Sequence, residues 1–75
     1  MKVGMMWLDT DNKRSLDEKV KRAAEYYKDK YGRLPELCLV NERLLENEKK
    51  VGRVIVQPAK AVLPGHFWLG MSAGN

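Results

Sequence analysis

A chain of 75 residues holds a single domain, residues 1–75, and at this size folding removes only about 60% of the surface that the unfolded chain exposes. One cysteine and one histidine exclude an intramolecular disulfide and fall short of a structural zinc set, so a small core lacks its usual reinforcements and self-association as a homodimer is the expected remedy. The net charge of +4 is unevenly placed: all ten acidic side chains lie in residues 1–48, leaving Lys49, Lys50, Arg53 and Lys60 without an acidic neighbour in residues 49–75.

Residues 2–8 are apolar on both alternating sets, Val3, Met5 and Trp7 on one side and Met6 and Leu8 on the other. This predicts a strand covered on both faces. The run is too short for a secretory signal and is stopped by Asp9. No segment approaches the roughly 20 apolar residues of a membrane span, and a reducing cytoplasm without membrane contact is the expected setting. Asp9-Thr10-Asp11-Asn12 has the composition of a turn leading into a helix.

Residues 15–32 carry the clearest structural signal. Ser15-Leu16-Asp17-Glu18 matches a capping box, in which the serine hydroxyl and the glutamate carboxylate each accept from the other's backbone N–H. Leu16, Val20, Ala23, Ala24, Tyr27 and Tyr31 recur at the helical period and make one apolar stripe. Lys28 and Lys30 suit the negative end of the helix, Gly32 suits a left-handed cap and Pro35 blocks continuation.

After that break, residues 37–40 form a second continuous apolar run. Strand, helix, strand in this order predicts a βαβ unit with parallel strands and a right-handed crossover. Residues 41–50 read as a polar loop with one helical turn around Leu44 and Leu45. Residues 51–57 contain Val54-Ile55-Val56, a β-branched strand that Pro58 either ends or leaves with an open edge. Pro64-Gly65 predicts a type II turn between residues 61–63 and 66–69. Such a turn splays a tight hairpin, so residues 67–69 are expected to leave and join the sheet elsewhere or a second subunit. Residues 72–75 read as a frayed tail. The expected fold is α+β: a βαβ unit with one amphipathic helix packed on a small mixed sheet of about four strands.

Chemistry is sparse. Asp9, Asp11 and Asn41 fall just beyond the carboxyl ends of two parallel strands, where open α/β sheets bind ligands. Their oxygens suit a divalent cation, yet Lys13, Arg14 and Val20 break the calcium-loop pattern and Asp and Asn are ordinary turn residues. His66, beside Phe67 and Trp68, has the chemistry of a general base or a phosphate contact and equally that of a hydrogen-bonded turn residue. Cys38 lies between Leu37 and Leu39 and reads as a small core side chain. No glycine-rich phosphate loop or nucleophile elbow occurs, so neither a cofactor nor a catalytic residue is expected.

Two functions remain. One is a non-enzymatic interaction or assembly module, homo-oligomeric through contacts around residues 54–69. The other is a nucleic-acid-binding accessory protein using Lys49, Lys50, Arg53, Lys60, His66 and Trp68, which requires these six to share an exposed face. Four cations over 27 residues are sparse for a basic arm and also serve to keep hydrophobic strands soluble.

Overall fold

The computed structural model describes residues 4–71 and has the element order β1 (Gly4–Leu8), α1 (Leu16–Tyr31), β2 (Leu37–Asn41), β3 (Lys49–Val51), β4 (Val54–Ala59) and β5 (His66–Gly70). Residues 2 and 3 of the expected first strand, and the tail expected at 72–75, lie outside the described residues. No helix of the described residues is long and apolar enough to cross a membrane.

The helix begins and ends where its sequence signals place it. The Ser15 hydroxyl accepts from the Glu18 N–H at 3.2 Å while the Glu18 carboxylate accepts from the Ser15 N–H at 3.3 Å, satisfying two N–H groups that a helix leaves orphaned. At the other end Gly32 sits at φ 82° and donates to the Lys28 carbonyl at 2.7 Å. Val20, Ala23, Ala24 and Tyr27 of the stripe are buried, Leu16 is partly buried, and Tyr31 lies at the margin with its hydroxyl 3.4 Å from the Gly4 carbonyl.

The strands form one five-stranded sheet in the order β1-β5-β2-β4-β3, one strand more than expected. The additional strand comes from a hairpin: Val51 pairs with Val54 across Gly52-Arg53. Gly52 has φ 61° and among the described residues no non-glycine residue has positive φ, so only the first central position of the turn is left-handed, as in a type II′ hairpin. The single strand predicted at 51–57 is therefore divided at that turn. Residues 42–44 form a turn closed by Leu44 N–H on the Asn41 carbonyl, in place of the expected helical turn.

β1 and β2 are each antiparallel to β5, and hence parallel to one another with β5 between them. The βαβ unit is thus present but split. β2 also pairs with β4 in parallel. The route into the split passes through Pro64-Gly65, where Gly65 has φ 80° and the His66 N–H donates to the Leu63 carbonyl at 3.0 Å. This is the expected type II turn, and it sends β5 across the end of β2. Residues 61–63 form no strand.

Pro58 stays within β4. The Ile55 N–H donates to the Glu36 carbonyl at the start of β2, so by alternation the nitrogens of residues 54, 56 and 58 point toward β3. Pairing with β3 ends at Lys49 opposite Val56, so the ring nitrogen of Pro58 faces an open edge.

The helix covers one face of this sheet. Cys38, Val40, Val54, Val56, Phe67 and Leu69 are buried beneath it, with Met5 and Trp7 packed against the cluster. Replacing Ser15 with alanine removes an exposed N-cap and should lower the unfolding free energy by about 1 kcal/mol, read as a reduced urea midpoint at unchanged m-value.

Candidate interaction surface

The opposite face of the sheet carries no second layer among the described residues. Alternation puts Met6 and Leu8 of β1, His66 and Trp68 of β5, Leu37 and Leu39 of β2, Ile55 and Gln57 of β4 and Lys50 of β3 on it. The cross-strand partners Met6↔Trp68, Leu39↔Trp68, Leu37↔Ile55 and Lys50↔Ile55 agree. Met6 is 57% exposed and Leu8 61%. The expectation that β1 is covered on both faces fails here: a continuous apolar run implies burial on both sides, but one helix supplies only one covering layer.

Trp68 lies at the centre of the apolar part. A Cβ added to Gly4 would collide with Cζ2, Cε2 and Nε1 of its indole, so the side chain lies over Gly4. Gly4 stands opposite Gly70 in the register, and the missing side chain at Gly4 leaves the space that the indole occupies. The face thus holds one large aromatic side chain among Met and Leu side chains, with charge at one margin.

The residues expected to contact nucleic acid do not converge. Lys49 turns to the helix side, where its ammonium lies 2.7 Å from Asp17. Lys50 shares the open face with Trp68 and His66. Arg53 lies on the β3–β4 turn at one end of β4 and Lys60 follows the other end, seven residues and roughly 23 Å apart along an extended strand. His66 closes its own turn, its Nδ1–H donating to the Pro64 carbonyl at 3.1 Å.

Asp9 and Asn41 do lie at one edge of the sheet, and they tie down the connection from β4 to β5. The Asp9 N–H donates to the Gly65 carbonyl at 2.8 Å. The Asn41 amide donates to the Val62 carbonyl at 2.8 Å and accepts from the Arg43 N–H at 2.9 Å. The carboxylates of Asp9 and Asp11 accept from the N–H groups of Asp11 and Lys13, and Asp11 also pairs with Arg14 at 3.1 Å. These are turn-stabilising contacts. Among the described residues, no group of three or more His, Cys, Asp or Glu side chains is placed to hold a metal ion.

Cys38 is fully buried, and burial pushes its thiol from 9.0 up to about 12. Tyr26, off the apolar stripe, is exposed but stacks on Trp7 with ring centroids 4.5 Å apart. Sequence reasoning placed Ile55 in the 54–69 contact stretch but missed the exposed Met6 and Leu8 and the half-buried Leu37 and Leu39 on this face. The available signal was a mismatch in supply: three apolar runs without alternation against one amphipathic helix. No protein family, curated protein or solved structure matches this chain.

Two measurements test this geometry. In a Trp7→Phe background, Gly4→Val should lift the Trp68 indole off the sheet and shift its emission to the red while far-ultraviolet circular dichroism is retained. The buried thiol should react with a maleimide at least about 100-fold more slowly in the native protein than in denaturant. The sign of its effect on stability follows from the raised value. Below pH 9 both states keep the proton, whereas between 9 and about 12 only the unfolded thiol ionises, so stability falls as pH rises through that window.

Proposed function

We propose that this protein is a non-enzymatic assembly module that associates with copies of itself through the open face of its sheet. The observation that carries this reading is the apolar face around Trp68, where Met6 and Leu8 are exposed and Trp68, Leu37, Leu39 and Ile55 half-buried. Contiguous apolar surface rimmed by polar residues is the kind of surface at which proteins make contact. The charges nearest the face are of both signs, Lys50 and Arg53 with Glu48, which holds the Gln57 amide at 2.7 Å. A surface of mixed charge repels its own copy less than a one-signed surface does, and it offers less to a polyanion. Size supports the same reading, because a chain of 75 residues without disulfide or metal gains most from burying a second layer.

Light scattering should give a multiple of the 8.6 kDa chain mass, and the association should persist in 1 M salt because apolar burial is not screened. Trp68→Glu or Leu39→Glu should lower the mass while circular dichroism stays native. A wild-type chain that remains monomeric at about 1 mM, where even an interface worth only about 4 kcal/mol is half-formed, would overturn the reading. Monomeric protein that binds labelled DNA or RNA, with binding lost on Lys50→Ala/Arg53→Ala and steeply reduced by salt, would put nucleic-acid binding in its place.

A further inference from the structure

The two edges of the sheet are unlike. β3 is three residues long and carries Lys49 and Lys50, the short charged form that discourages further pairing. β1 is five residues long, Gly-Met-Met-Trp-Leu, without a charge. The Asp9 N–H bonds to the Gly65 carbonyl, so Asp9, Trp7 and Met5 direct their backbone groups toward β5. Gly4, Met6 and Leu8 direct theirs outward. The Tyr31 hydroxyl on the outward Gly4 carbonyl agrees with this alternation. Among the described residues the outward N–H and C=O groups of Met6 and Leu8 have no partner in the sheet, since β1 pairs there with β5 alone.

The apolar patch is also off-centre. Toward β3 it is closed by a polar rim of Gln57, Glu48 and Lys50. Toward β1 it runs to the edge unrimmed, ending on Met6 and Leu8, the two apolar side chains of the face that are more than half exposed. The sheet face measures about 24 by 17 Å, roughly 400 Å² in projection, whereas a stable interface buries about 600–1,000 Å² on each partner.

We infer that β1 pairs antiparallel with β1 of a second copy across a two-fold axis at Met6, joining the two sheets into one of ten strands. The inference rests on the self-association proposed above and specifies a contact by which it occurs. Backbone parity requires outward residues to face outward residues, and only the Met6-centred register uses all three: Met6 meets Met6, and Gly4 meets Leu8. Leu8 of the second copy then lies beside the Trp68 indole that occupies the space over Gly4. On the helix side Met5 faces Trp7, a thioether against an aromatic ring. The paired strands themselves bring no charge together. The axis runs perpendicular to the sheet, so both open faces point the same way and merge. Their projected area doubles to about 800 Å², with Met6, Leu8 and Trp68 of both copies at the centre and the two β3 rims outermost, the arrangement of an interface with an apolar core and a polar margin. Two such pairs stacked face to face form a closed tetramer with dihedral symmetry.

Amide hydrogen exchange on the wild-type protein reads this contact directly, because face-to-face packing leaves the outward amides of Met6 and Leu8 unbonded whereas edge pairing bonds them. At about 1 mM these two amides should exchange at least about 100-fold more slowly than at a dilution where the protein is monomeric. Met6→Pro removes one outward donor at a position where an edge strand tolerates proline, and Met6→Ala controls for the lost side chain. The proline variant should keep native circular dichroism and show half the mass of the alanine variant. An associating protein whose Met6 and Leu8 amides exchange freely overturns the edge contact and leaves the open-face reading standing. A wild-type chain monomeric at 1 mM overturns both. Should Met6→Pro fail to fold, the wild-type exchange decides alone.

Discussion

One helix can cover one face of a sheet. α1 has 16 residues, which makes it about 24 Å long and about 10 Å wide, enough to roof the strands on one side and nothing beyond. Every consequential property of the protein follows from that shortage of covering. The buried cluster lies between α1 and the side chains of β5, β2 and β4 that alternate toward it, and it contains the whole of the helix stripe except its two ends. The residues alternating away are almost as apolar, and they meet no layer of their own chain among the described residues.

The position of β5 decides what that open face looks like. Because β5 inserts between β1 and β2, Trp68 comes to stand between Met6 and Leu39, over the backbone of Gly4, and a scattered set of apolar residues becomes one patch. The same insertion requires the chain to cross the end of β2, and the polar residues at that edge are consumed in holding the crossing segment: Asn41 through Val62 and Asp9 through Gly65. The edge that in other parallel sheets is left free for a ligand here binds its own connection.

The charge bias of residues 49–75 also has a different meaning in three dimensions. Lys49 and Lys50 alternate to opposite faces of β3, one toward Asp17 and one toward the open side, and Lys60 is separated from Arg53 by the length of β4. A one-signed stretch of sequence is thereby dispersed, and the two lysines also guard one sheet edge while the opposite edge, β1, carries no charge.

The helix, its caps, its buried stripe and the Pro64-Gly65 turn were legible residue by residue, because each depends on contacts within a few positions of the chain: a hydroxyl reaching the third N–H, a glycine with positive φ, a repeat of 3.6 residues. That the strands form one sheet with α1 upon it followed from their order. The Gly52 hairpin was local too, but a three-residue strand with two lysines shows no hydrophobic pattern to separate it from the strand that follows. Only the tertiary structure decided which face of each strand is covered, because Met6 and Met5 are identical in type and differ only in which side of the pleat meets the helix. It also decided that β5 lies between β1 and β2, since strand order depends on pairing between residues some 60 positions apart, such as Met6 with Trp68, to which local propensity contributes nothing.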